Sequence, residues 1–110
     1  MLNSKEYVND ILNGDTCTYF KTGELRSKTL YVNGYKHGNE IWCYPNGEIK
    51  EIHPYESGFL NGILEEFDLS GSYLSKQSYK YGKRNGPSFF YRDGLVVKKL
   101  YKNGKRIPCD

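Results

Sequence analysis

The 110-residue sequence predicts an all-β protein: a single-layer, strongly twisted antiparallel meander of four to five consecutive β-hairpins, about eight strands in all. Three observations carry that prediction. The chain repeats with a period of 24 residues, its glycines fall in columns at hairpin spacing, and the segments between them alternate apolar and polar residues. The period is clearest from Tyr31 to Gly58 (YVNGYKHGNEIWCYPNGEIKEIHPYESG). There a tyrosine, an Asn33-Gly34 turn, Gly38, an aromatic run and a Pro45-Asn46-Gly47 turn lead to Tyr55, where the pattern restarts.

Sliding the sequence by 24 residues places Tyr7 on Tyr31, Tyr31 on Tyr55 and Tyr55 on Tyr79; a last step of 22 reaches Tyr101. One glycine column holds Gly34, Gly58, Gly82 and Gly104, with Asp10 in first place. A second holds Gly14, Gly38, Gly62 and Gly86, and a third Gly23, Gly47, Gly71 and Gly94. All twelve glycines are thereby placed, so the repeat governs the whole chain.

Turn chemistry turns the columns into hairpins. A two-residue type I′ turn would force Thr22 and Ser70 to positive φ, whereas a three-residue loop with a glycine bulge needs positive φ only at the glycine. The bulged loop is therefore expected at Lys21-Thr22-Gly23, Pro45-Asn46-Gly47, Leu69-Ser70-Gly71 and Arg92-Asp93-Gly94. That register pairs Tyr19 with Leu25, Cys43 with Ile49, Phe67 with Tyr73, and Phe90 with Val96. These residues share an apolar face with Cys17, Ile41 and the tyrosine column, and Glu65 is its misfit. The other face takes Thr18, Phe20, Arg26, Lys28, Trp42, Tyr44, Glu48, Lys50, Glu66, Asp68 and Lys76, polar with aromatics.

Strands are expected at about residues 15–20, 24–32, 39–44, 48–56, 63–68, 72–80, 87–91 and 95–102. The connections are too short for parallel crossovers, so units stack in order as a one-dimensional array. The whole chain reads as one domain, with units at about 7–30, 31–54, 55–78 and 79–100 and a partial one at 101–110. Residues 1–12 read as an atypical first unit or cap, in which Asn3, Asn9 and Asp10 allow one helical turn at most.

Composition limits the function classes. Hydrophobic residues make up only 37% while tyrosine contributes eleven, a balance that suits one layer with exposed aromatics better than a two-layer core. No stretch is long and apolar enough for a signal peptide or a membrane span, so a soluble, intracellular, cytoplasmic protein is expected. Cys17 and Cys43 lie two strands apart, about 10 Å, beyond disulfide reach, and read as core thiols; Cys109 reads as a free tail thiol. His37, His53 and Cys43 match no zinc spacing. Net charge is +3 but uneven: residues 1–75 hold six Lys/Arg against eleven Asp/Glu, and residues 76–110 hold ten against two. Stacking in order converts this into an acidic front and a basic back, with Lys98, Lys99, Lys102, Lys105 and Arg106 as a patch that either protects an edge strand or meets an anionic partner.

Tyr31-Val-Asn-Gly-Tyr-Lys-His-Gly38, the aromatics around Cys43-Tyr44, and Asn46-Gly47-Glu-Ile49 resemble MORN repeats. They are closest to the variant of bacterial and large-virus proteins with its NGxxxG…YxNGxL rhythm. The resemblance spans about Tyr7 to Lys105 and rests on Tyr31, Tyr55, Tyr79 and Tyr101 with the three glycine columns. It implies a meander of consecutive hairpins acting as a scaffold for protein binding or self-association. It also brings the family's disputed lipid binding, and the antitoxin role given to some variant proteins. The sequence departs from the pattern at Asp68 and Leu69-Ser70-Gly71 and in its short fourth unit, where a less regular sheet is expected.

No catalytic constellation is visible. The glycine turns precede no helix that could cradle phosphate, and Glu65 and Glu66 point to opposite faces of a strand. No cofactor, metal or small-molecule substrate is implied. The expected function is protein interaction, through Phe20, Trp42, Tyr44 and Tyr91, types enriched at interface hot spots. Their alternative role is cross-strand packing. The apolar face needs a cover, by twist or by a second copy in a homodimer. The alternative partner is an anionic surface, lipid or nucleic acid, met by Lys98, Lys99 and Lys102, although the tyrosine spacing follows the repeat rather than a base-stacking layout.

Overall fold

The computed structural model describes residues 7–8 and 11–108. Cys109, Asp10 and most of the expected cap lie outside them. The described residues form thirteen strands and no helix. These are β1 (Tyr7–Val8), β2 (Ile11–Leu12), β3 (Gly14–Tyr19), β4 (Leu25–Val32), β5 (Tyr35–Lys36), β6 (Gly38–Cys43), β7 (Ile49–Glu56), β8 (Phe59–Leu60), β9 (Gly62–Phe67), β10 (Tyr73–Lys80), β11 (Lys83–Arg92), β12 (Leu95–Lys102) and β13 (Lys105–Ile107). The eight long strands fall where the glycine columns put them. Eleven strands make one open antiparallel sheet in chain order, and β1 pairs with β2 separately. At 51 × 31 × 13 Å the molecule is a strip one layer thick.

Two kinds of turn build the strip. In the first three hairpins the three-residue loop appears as expected: Gly23, Gly47 and Gly71 have φ of 97°, 91° and 91°. Each such glycine donates its N–H to the carbonyl three residues earlier, Phe20, Tyr44 and Asp68 in turn. The third loop is as regular as the other two despite its sequence. Asp68 Oδ1 accepts hydrogen bonds from Ser70 N at 2.9 Å, Ser70 Oγ at 2.7 Å and Ser72 N at 3.0 Å. The serine bonds hold its carboxyl below the usual carboxylate range.

The fourth hairpin differs from expectation. Asp93 and Gly94 both have positive φ, 47° and 75°, so the loop is a two-residue turn, and Asp tolerates the left-handed region. Phe90 accordingly pairs with Val97 and Tyr91 with Val96. The missing two residues of this unit are now accounted for. One is the third loop residue. The other is a bulge residue: Arg26, Lys50 and Leu74 are skipped in β4, β7 and β10, and β12 skips none.

Those bulges also correct the assignment of faces. Thr18 pairs with Ser27, Trp42 with Glu51 and Glu66 with Ser75, so the parity of each long strand is reversed beyond its bulge. The tyrosine column therefore lies on the polar face, not the apolar one. Two rows cross that face: Thr18, Ser27, Trp42, Glu51, Glu66, Ser75 and Phe90, then Thr16, Thr29, Glu40, His53, Leu64, Gln77, Ser88 and Lys99. Lys28 and Lys76 move to the other face, with Cys17, Ile41, Ile52, Glu65, Phe89 and Lys98.

Tyr31, Tyr55, Tyr79 and Tyr101 each stand opposite a glycine, Gly14, Gly38, Gly62 and Gly86, which supplies no side chain to compete for the space. The polar face is the buried one. Ser27, Thr29, Glu40, Ser75, Gln77 and Ser88 are buried there, and among the described residues Leu64 is the single buried apolar side chain.

Candidate functional site

The second kind of turn was not resolved as a paired element by sequence. Asn33-Gly34, Ser57-Gly58, Tyr81-Gly82 and Asn103-Gly104 all carry positive φ at both residues, the two-residue geometry that matches strand twist. Each joins a long strand to the strand after it: β4 to β5, β7 to β8 and β12 to β13, where the second strand is short, and β10 to the ten-residue β11. The turns dock in series. Gly34 N–H donates to Leu12 O, Gly58 to Lys36 O, Gly82 to Leu60 O and Gly104 to Arg84 O, all at 2.8–2.9 Å.

The residue following each turn lies against the glycine of the next. A Cβ on Gly58 would sit 3.1 Å from Tyr35 Cδ1, one on Gly82 3.4 Å from Phe59 Cδ1, and one on Gly104 3.9 Å from Lys83 Cβ. The outcome is a ridge of side chains along one end of the strip, on the face opposite the buried polar one. Val32 pairs with Tyr35, Glu56 with Phe59, Lys80 with Lys83 and Lys102 with Lys105. Tyr35 is 61% exposed, Phe59 56% and Tyr81, at a turn tip, 72%.

Toward the front this ridge face is apolar. Leu30, Val32, Tyr35, Phe59 and Ile63 are all exposed there, and a concavity is lined by Val32, Asn33, Tyr35, His37, Ser57 and Phe59. Toward the back it is basic, with Lys76, Lys80, Lys83, Lys98, Lys102 and Lys105 on one face.

The polar face is held by its own hydrogen bonds. Glu40 accepts from Thr29 Oγ1 at 2.6 Å, Trp42 Nε1 at 2.9 Å and Lys36 Nζ at 2.9 Å. Burial pushes the Glu40 pKa up, but the bonds from Thr29, Lys36 and Trp42 and the Lys36 charge outweigh it and hold it below the usual carboxylate value. Burial works against the Lys36 charge too, and Glu40 outweighs it, raising that pKa. Glu51 takes His53 Nε2 at 2.7 Å, and Glu66 takes Ser75 Oγ at 2.6 Å and Gln77 Nε2 at 3.1 Å. Arg84 bridges Tyr79 and Tyr101 hydroxyls at 3.3 Å each. Each glutamate of this face is thus committed to neighbours.

The residues proposed from sequence are distributed as follows. Trp42 is half-buried, with Arg26 stacked 5.9 Å from its ring centre. Tyr44 donates to Phe67 O at 2.7 Å, and Phe20 and Tyr91 are half-buried, Tyr91 against Tyr73. Cross-strand contacts thus engage Trp42, Tyr44 and Tyr91. Lys98 and Lys102 share the ridge face, whereas Lys99 lies on the polar face over Phe90 at 5.2 Å. Cys43 and His53 project from opposite faces, so they share no ligand sphere. Cys17 and Cys43 are unpaired thiols, and burial pushes the Cys43 thiol pKa up. Among the described residues no helix is long and apolar enough to cross a membrane. Tyr35, Phe59, Ile63 and Tyr81 were missed; the signal for Tyr35, Phe59 and Tyr81 was the repeated position at or beside each two-residue turn, and Ile63 follows a glycine of the second column.

An open sheet of docked hairpins, each one touching its neighbours, defines the class: a repeat scaffold. Residues 12–33 and 36–57 match two consecutive copies of the MORN repeat variant, so these two units are MORN repeats. The second match runs from one two-residue turn to the next, and the first ends at Asn33 of the earlier of these turns. No curated protein matches the chain significantly. Repeats of this family bind proteins or membranes.

Proposed function

We propose that the protein is a non-enzymatic scaffold whose front ridge face docks another protein surface, a second copy of the chain being the simplest occupant. The contiguous exposure of Leu30, Val32, Tyr35, Phe59 and Ile63 on a strip with no second layer carries this reading. Contiguous apolar surface of this kind marks interaction sites, and closed two-fold dimers are the commonest self-association. A face-packed dimer persists in high salt, whereas one driven by the charged ends dissociates.

The test is light scattering at high micromolar concentration in low and high salt. Parent protein is expected as a dimer in both. Tyr35→Lys with Ile63→Asn is expected to be a folded monomer, because Lys83 and Asn39 already occupy those repeat positions in other units. A parent monomer at both salts would remove the self-docking reading.

A further inference from the structure

We infer that the third and fourth two-residue turns, Tyr81-Gly82 and Asn103-Gly104, form a binding site for single-stranded nucleic acid. The first observation is electrostatic. Lys80 faces Lys83 and Lys102 faces Lys105 directly across their turns, and Lys83 packs against Gly104, which stacks the two pairs together. All four side chains are exposed, on one face, and none forms an ion pair among the described residues. Like charges directly opposite on a sheet are destabilising, so this arrangement favours a bound polyanion. Between Ser70 and Ile107 the one acidic residue is Asp93, at the opposite end of β11; the carboxylates nearest on the lysine face are Glu56, beside Tyr81, and Glu65, opposite Lys76.

The second observation is a slot beside that cluster. Phe59 and Tyr81 flank a cleft of about 230 Å³ between the second and third turns, lined also by Glu56, Ser57 and Asn61. Both rings lie outside the tyrosine column and make no contribution to the buried face. An exposed ring pair with polar groups at its edge, next to a row of cations, provides what an unpaired nucleotide needs: a stacking platform, hydrogen-bonding partners and phosphate contacts. Glu56, engaged by Asn61 Nδ2 at 2.9 Å, is an acceptor of the kind that reads a base amino group. In a duplex the bases are stacked inside and cannot enter such a slot. A flat anionic membrane would use the lysines and leave the slot empty.

The test is fluorescence anisotropy with labelled oligo(dT) and oligo(U) of about a dozen nucleotides, against a blunt duplex and phosphatidylserine vesicles. Single strands are expected to bind best, with a log–log salt slope near −3 if four phosphates are neutralised, at about −0.7 each. Lys80→Glu with Lys83→Phe gives the third turn the residues of the second; it should weaken binding at least tenfold and roughly halve the slope. Tyr81→Asn keeps a residue type already found at Asn33 and Asn103; it should lose about tenfold with the slope unchanged. Circular dichroism confirms that both variants are folded. Phe59 borders both this site and the docking surface above; Ile63→Asn, which adds no charge and does not line the slot, should weaken the dimer and leave oligonucleotide affinity intact, which distinguishes the two. Absence of single-strand binding at low salt, preference for duplex or vesicles, or an inert Tyr81→Asn would each overturn the inference.

Discussion

The first three hairpins and the fourth lie on one frame yet differ in loop, in bulge and in what the ridge carries. The first three have a three-residue loop and a skipped residue; the fourth drops both, and Tyr101 still stands opposite Gly86 as Tyr79 stands opposite Gly62. Each loss leaves the pairing beyond it unchanged, so the frame tolerates both a shorter loop and an absent bulge. On the ridge, the frame residues are constant while their neighbours run from Val32 and Tyr35 at the front to Lys102 and Lys105 at the back. Frame and surface are therefore separable in this protein, and four experiments probe that separation.

The largest effect is expected from breaking the ladder beyond the bulge. Inserting one residue between Ser75 and Lys76 moves Gln77 and Tyr79 to the wrong face and should cost about 4 kcal/mol or abolish cooperative unfolding. Deleting Leu74 leaves Ser75 opposite Glu66, as Val97 stands opposite Phe90 without a bulge, and should cost only about 1 kcal/mol. Urea denaturation compares the two. Equal tolerance would mean that strand register does not set the faces.

Next comes the Lys36–Glu40 pair, whose places in the following unit are taken by Leu60 and Leu64. Glu40→Ala leaves Thr29, Trp42 and Lys36 without their acceptor and should cost about 3 kcal/mol. The double change Lys36→Leu with Glu40→Leu should cost markedly less, since the neighbouring unit already holds that pair.

The pH dependence has a defined sign. The folded pKa of Glu40 is lowered from 4.5, so its contribution is present above that value and is lost as pH falls through the folded pKa. That of Lys36 is raised from 10.5, so its contribution is present below that value and is lost as pH rises through the folded pKa. The double variant should show flatter acid and alkaline limbs in denaturation midpoints between these extremes. Identical limbs in parent and variant would show that the pair is not coupled to folding.

The smallest effects separate the two turn types. Gly47 has φ of 91° and open space around a would-be Cβ, so Gly47→Ala should cost about 1 kcal/mol through backbone strain alone. Gly58 has φ of 89° and Tyr35 at 3.1 Å, so Gly58→Ala adds a clash and should cost about 2 kcal/mol. Thermal midpoints that rank them the other way would remove the docked-turn account of the ridge.

What the sequence determined by itself was local. The glycine columns placed the loops, and with them all eight long strands, because positive φ is a property of one or two residues in a row. The pairings Tyr19–Leu25, Cys43–Ile49 and Phe67–Tyr73 followed from loop length. What the tertiary structure alone decided was parity and proximity. The skipped Arg26, Lys50 and Leu74 are defined by hydrogen bonds to a neighbouring strand, and one extra residue reverses every side chain after it, which put the tyrosine column on the polar face. The same holds for the ridge. Lys83 and Lys105 are 22 residues apart in the chain, and only the docking of one turn on the next brings their lysine pairs together beside Phe59 and Tyr81.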